Sequence, residues 1–197
     1  MKAATAEEVL EAIQQVVGPD FVLLSTTFFA KYPLQTEGAN QPKCLTVIGT
    51  HQDRQYWGLE PASAPVASVW IAIDNATREN GAMQMYPTTH KTPLPHVKHY
   101  DNCSALFDAQ SIPPEDLPAE SEFLELVPGQ YAIFDSRTAH RSGRNSSPSR
   151  RIGLTMIYAS ADIVLKEMDY QNYVEWRVPM PIRCAGKSCE EPSGAEL

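Results

Sequence analysis

Residues 122–134 read EFLELVPGQYAIF, and this stretch decides the fold class. Two short apolar runs, Glu122 to Leu126 and Tyr131 to Phe134, flank Pro128-Gly129. Proline and glycine in succession mark a tight turn, so the chain reverses between two strand-length segments. The same pattern recurs on both sides. Further candidate strands are Phe21 to Ala30, Leu45 to His51, Ser68 to Asp74, Met83 to Tyr86 and Ile152 to Tyr158. Each is rich in β-branched or aromatic residues and bounded by turn formers. Short strands joined by Pro- and Gly-rich connections favour a sandwich or barrel over an alternating β-α array.

One helix precedes them. Val9, Leu10, Ile13, Val16 and Val17 fall on one face at helical spacing, Thr5 and Glu8 have capping-box spacing, and Gly18 stops the run. The stretch from Lys91 to Pro118 carries five prolines (Pro93, Pro95, Pro113, Pro114 and Pro118), so it reads as a long excursion, with a short helix near Ser104 to Ala109. Excursions of this length inside a compact domain often form lids or binding loops. A single domain over residues 1–180 and a flexible tail over 181–197 are expected.

The chain has 197 residues, enough to bury one substantial core. Its net charge of −8 argues against a nucleic-acid or anionic-membrane partner. No apolar run approaches the roughly 18 residues of a membrane span. The first twenty residues contain Glu7, Glu8 and Glu11, which do not suit a secretory signal. The four cysteines are scattered, and only Cys184 and Cys189 are close. Free thiols in a reducing cytoplasm are expected.

His51-Gln52-Asp53 closes a candidate strand. Residues i and i+2 of a strand face the same side, so an imidazole and a carboxylate project together and can ligate one cation. His140, in Thr138-Ala139-His140-Arg141-Ser142-Gly143, is the strongest third ligand. Two histidines and one carboxylate leave three octahedral positions open, as in non-haem Fe(II) oxygenases. Such chemistry needs a dicarboxylic cosubstrate, and a guanidinium grips its far carboxylate with paired hydrogen bonds. Arg150 and Arg151 both qualify by position, and Ser142 offers a hydroxyl to the same carboxylate.

In this order the fragments resemble the phytanoyl-CoA dioxygenase family of Fe(II)/2-oxoglutarate oxygenases. They run from Phe29-Ala30-Lys31-Tyr32-Pro33 through His51-Gln52-Asp53 to Val69-Trp70-Ile71-Ala72-Ile73-Asp74. They continue through Glu79-Asn80-Gly81-Ala82-Met83 and Pro87-Thr88-Thr89-His90 to His140-Arg141-Ser142-Gly143-Arg144-Asn145 and Arg151. The resemblance implies a mainly β, cupin-like jelly roll (a double-stranded β-helix) with an N-terminal helix. It implies Fe(II) held by His51, Asp53 and His140, with 2-oxoglutarate as cosubstrate. By the same likeness Arg151 rather than Arg150 anchors the cosubstrate carboxylate, and Ser142, Trp70 and Thr27 line its pocket. Halogenating relatives carry a small residue where Asp53 stands, so a carboxylate implies hydroxylation or a related oxidation of a small organic substrate by O2. Family members usually carry a longer segment ahead of the first matching strand, so an exposed sheet edge is also expected here.

Two rival readings are a catalytically silent jelly-roll binding module and a β-barrel enzyme using zinc or another divalent ion. His96 and His99 suggest a second metal only weakly, and a surface loop is favoured there. Tyr56 and Trp57 read equally as substrate contacts or core. Lys31 either reaches an anionic substrate or merely sits at a strand end. Substrate identity and oligomeric state are not legible.

Overall fold

The computed structural model describes residues 3–4, 6–33, 47–98, 110–165, 180–184 and 187–188. Helix α1 (Glu7–Val17) buries Val9, Leu10, Ile13 and Val17, the apolar face set by their spacing. Its N-cap is Ala6, which has no side chain to cap with; Thr5, the expected cap, lies outside the described residues. Gly18 ends the helix at φ 99°, where a Cβ would be strained, and its N–H donates to Gln14 O at 3.1 Å.

The strands in chain order are β1 (Phe21–Lys31), β2 (Ile48–His51), β3 (Leu59–Glu60), β4 (Val66–Ala72), β5 (Met83–Met85), β6 (Val97–Lys98) and β7 (Gln110–Ser111). Then follow β8 (Glu122–Leu124), β9 (Tyr131–Asp135), β10 (His140–Ser142), β11 (Arg151–Ser160), β12 (Val164–Leu165), β13 (Met180–Cys184) and β14 (Lys187–Ser188). A six-stranded antiparallel sheet runs β14-β13-β1-β11-β4-β9, and a four-stranded one runs β2-β10-β5-β8. From β4 onward the chain crosses to the smaller sheet for β5 and β8, returns for β9, crosses for β10 and returns for β11. That winding is a double-stranded β-helix.

Strand alternation divides the core. Ala67 and Val69 of β4, with Leu154, Met156 and Tyr158 of β11, pack outward against α1. The Tyr158 hydroxyl donates to Ala4 O at 2.8 Å and pins the start of the chain to the sheet. Trp70 and Ala72, on the opposite face of β4, meet Met83 and Met85 between the sheets, with Phe123, Leu124 and Phe134 alongside.

The Pro128-Gly129 turn forms as expected. Gln130 N–H donates to Val127 O at 3.0 Å, and Gly129 has φ 89°. The strands it joins do not pair with each other, because β8 lies in the smaller sheet and β9 in the larger.

The outer edge of β1 is covered by β13 over Phe21 to Leu23, and β13 pairs in turn with β14. Part of the stretch expected to be a loose tail is therefore sheet, satisfying backbone groups of an otherwise open edge. Within the long excursion, β6 pairs with β7, and Ile112 N–H donates to Thr50 O at 2.7 Å beside β2. The helix expected near Ser104 to Ala109 lies outside the described residues. No helix among the described residues is long and apolar enough to cross a membrane.

Candidate metal centre

β2 ends at His51, Gln52 follows, and a 3-10 turn begins at Asp53. β10 begins at His140, which pairs in register with His51. Antiparallel pairing thus turns a long sequence separation into a cross-strand contact, with the imidazole centroids 4.3 Å apart. Asp53 Oδ1 lies 3.3 Å from His51 Nε2 and 3.7 Å from His140 Nε2. One ligand atom from each residue lies within 4.8 Å of the others. Among the described residues this is the only group of three side chains so arranged.

Backbone carbonyls set the imidazoles. His51 Nδ1 faces Gly49 O at 2.8 Å and His140 Nδ1 faces Thr138 O at 3.0 Å. A carbonyl only accepts, so each Nδ1 carries a proton and each Nε2 lone pair faces the centre. The Ser68 hydroxyl donates to Asp53 Oδ2 at 2.6 Å, leaving Oδ1 toward the histidines. All three candidate ligands are buried. Burial pushes the Asp53 carboxyl up, but His140, His51 and the Ser68 hydroxyl outweigh it and hold the pKa at about 2. Burial, followed by the neighbouring His51, lowers His140 to about 4. At neutral pH Asp53 is therefore a carboxylate and His140 a neutral imidazole, the forms that bind a divalent cation.

A narrow slot of about 40 Å³ opens beside the triad, lined by Trp70, Ser142 and Arg151. Phe29, Ile48, Met83, Phe134, Arg141 and Thr155 also line it. Thr27 stands opposite Thr155 on β1 but is exposed and outside the slot. Arg151 is 1% exposed, donates through Nη2 to Gly81 O, and lies 5.4 Å from the Trp70 ring centroid. Its Nε is buried with no hydrogen-bond partner, and it makes no ion pair among the described residues. Burial lowers its pKa to about 10. A buried cation without an anion is costly, so this floor suits an incoming carboxylate. Arg150 instead points to the surface and pairs with Asp74 at 3.0 Å.

Residues 2–153 match the phytanoyl-CoA dioxygenase (PhyH) family. The chain belongs to that family. It is similar to the peroxisomal phytanoyl-CoA dioxygenase of Bos taurus, 26% identical over 159 residues that span 80% of this chain and 45% of that protein. It is also similar to a Stutzerimonas stutzeri protein described as "Probable alpha-ketoglutarate-dependent hypophosphite dioxygenase", 32% identical over 126 residues, 62% of this chain and 43% of that one. The chain thus spans less than half the length of these curated relatives. Among solved structures, the epimerase SnoN in complex with Fe3+, alpha ketoglutarate and nogalamycin RO superposes with a TM-score of 0.67 at 17% identity, covering 96% of this chain and 70% of SnoN. The apo non-heme monooxygenase ThoJ gives 0.67 at 23% identity, covering 83% and 56%. Both likenesses establish the shared fold.

Within this PhyH-family fold, several residues around the site escaped the sequence reading. Ser68 lies two positions before Trp70 on β4, and strand alternation alone put both on the inner face. Gln52 is buried between two candidate ligands: its Nε2 donates to Thr89 O, Thr92 O and Arg137 O, and its Oε1 accepts from Leu94 N–H. It ties the start of the long excursion and the β9–β10 turn to the candidate ligands. His96 Nε2 accepts from Gln52 N–H at 3.1 Å, so this ring serves loop packing; His99 lies outside the described residues. Tyr56 lies beside His51, with centroids 5.8 Å apart, while Trp57 packs against the cluster of Leu24, Leu59 and Val66. Lys31 is buried opposite Arg151, and its Nζ donates to Gly143 O at 2.7 Å and Ser142 O at 3.3 Å.

Proposed function

We propose that this chain is an Fe(II)- and 2-oxoglutarate-dependent dioxygenase that hydroxylates, or otherwise oxidises at a C–H bond, a small organic substrate. One observation carries the reading: the buried His51-Asp53-His140 cluster shares a slot with Arg151, a buried guanidinium lacking an anion. When bound, Fe(II) with 2-oxoglutarate supplies the oxidising power: O2 delivers one oxygen to the substrate and one to the cosubstrate, which leaves as succinate and CO2.

The chain's own residues do the rest. His51 and His140 present Nε2 and Asp53 presents Oδ1, while Gly49 O, Thr138 O and the Ser68 hydroxyl hold those three groups in place. Arg151 receives the far carboxylate of the cosubstrate and Ser142 adds a hydroxyl to it. The Trp70 ring lies within cation–π reach of the Arg151 guanidinium. Phe29, Met83 and Phe134 make apolar walls that suit a C–H-bearing substrate and exclude water. We place the activity in the cytoplasm, in keeping with the acidic composition and scattered cysteines.

Anaerobic titration of the Fe(II)-loaded protein with 2-oxoglutarate tests the reading. A weak visible metal-to-ligand charge-transfer band that saturates, and is absent in Asp53→Ala, is expected. Iron binding without that band would remove the cosubstrate from the proposal, and preference for zinc with no band would favour a hydrolytic β-barrel enzyme.

A further inference from the structure

Beside the turn that carries Asp53 lies a second cavity, about 350 Å³ and open to solvent. Its size falls within the roughly 300–1,000 Å³ of small-molecule sites. His51 and Asp53 line the metal slot, whereas Gln52 and Arg54 line this cavity, so one short segment serves both. The walls bring Arg54, Arg137 and Lys91 together, with His90 beside them and Trp57 as an apolar face. In a chain of net charge −8, three permanent cations around one cavity are out of keeping with the rest of the surface.

The opposing charges are Glu60 in the wall and Asp135 behind it, so the cations exceed the anions by one. Asp135 is already engaged, taking Arg137 Nε and Nη2 at 3.0 and 2.7 Å. Arg54 is held as well, donating through Nη2 to Leu59 O and Pro61 O at 3.1 and 3.0 Å. Both guanidinium groups are therefore positioned before any ligand arrives, which lowers the ordering cost of binding. Burial, and then repulsion from Arg137, lower the pKa of Arg54 against the smaller opposing pull of Asp135 and Glu60. An anion between them relieves that repulsion, and guanidinium forks match phosphate and carboxylate oxygens.

We propose that this cavity binds a small phosphate- or carboxylate-bearing polyanion, gripped by Arg54, Arg137 and Lys91, at a site separate from the metal slot. The inference does not depend on the oxygenase reading. It rests on the cavity and its charges.

Calorimetric titration of the full chain, with metal removed and ionic strength held constant, tests it with inorganic pyrophosphate and with propane-1,2,3-tricarboxylate. Saturable one-site binding of either probe is expected, and which of the two binds tells whether phosphate or carboxylate is the recognised group. Lys91 is exposed and its side chain makes no ion pair among the described residues, so Lys91→Glu should fold normally and weaken binding at least fivefold; Arg137→Gln should weaken it further. Heats that do not saturate for either probe would overturn the proposal. So would an affinity unchanged in Lys91→Glu, or binding that 2-oxoglutarate competes away, which would assign the anion to Arg151.

Discussion

The Ser68 hydroxyl donates a 2.6 Å hydrogen bond to Asp53 Oδ2, joining the middle of β4 to the turn after β2. The bond selects which carboxylate oxygen faces the histidines. Ser68→Ala removes one oxygen from a fully buried position and should leave the fold intact. Groups that orient a metal ligand typically contribute about 10- to 100-fold to metal affinity. The expected outcome is a loss of Fe(II) affinity toward the lower end of that range, read by anaerobic competition against a chelating dye. Wild-type affinity would mean that the slot walls alone orient Asp53.

Adjacent arginines should behave differently. Arg151 lines the slot, whereas Arg150 lies on the surface against Asp74. Arg151→Ala is expected to weaken 2-oxoglutarate binding by roughly 100-fold, the loss of a charge-assisted bidentate contact of about 3 kcal/mol. Arg150→Ala should bind it within about twofold of wild type, an ordinary outcome for a surface site. Equal effects of the two substitutions on the apparent affinity would remove Arg151 from its proposed role.

The Trp70 indole lies against Gly153, where an added Cβ would clash with Cζ2 and Cε2 of the ring. Gly153→Ala must displace the indole that neighbours Arg151. Forcing a side chain into a packed interior costs about 1–3 kcal/mol, so a lowered denaturant midpoint is expected together with weaker 2-oxoglutarate binding. Replacing Trp70 with Leu in the same background should restore much of the stability without restoring the cosubstrate affinity.

Lys31 offers a pH test. Burial, then the neighbouring Arg151, holds its pKa at about 7 against an ordinary value of 10.5. Between these values the unfolded chain binds a proton that the folded chain does not, so stability rises with pH across that window. Below it both states are protonated, and the full penalty of burying the ammonium applies. Urea unfolding at pH 7 and pH 9 should show wild type gaining on Lys31→Met as pH rises. A constant difference between the two proteins would show that Lys31 keeps its proton throughout.

Much of the site could be read before folding. His51 and Asp53 stand out as candidate ligands because their spacing is local and needs no knowledge of the partner strand, although Asp53 lies in the 3-10 turn just beyond β2 and not on the strand itself. Pro128-Gly129 announces its turn for the same reason, through φ preferences of two residues. Non-local features were hidden. That turn joins strands of different sheets, and no property of residues 122–134 says so, because sheet membership depends on distant partners. Ser68 could have been found from alternation with Trp70, but its acceptor could not, since Asp53 reaches it only through the fold. Gln52 reads in sequence as a spacer, yet its four side-chain hydrogen bonds reach Thr89, Thr92, Leu94 and Arg137.

The two arginines show where the division falls. Residue types, their order and the strand period indicated a sandwich or barrel, candidate His-Asp-His ligands and a guanidinium for a dicarboxylate, and the family resemblance implied the jelly roll. Consecutive residues of a strand point to opposite faces, so Arg150 and Arg151 differ only in register, and a shift by one position exchanges them. Register is set where β11 pairs with β1 and β4, placing Arg151 opposite Lys31 and Gly153 opposite Ala72. It follows from burying one face of β11 between sheets and the other under α1, a condition that exists only once the chain has closed on itself.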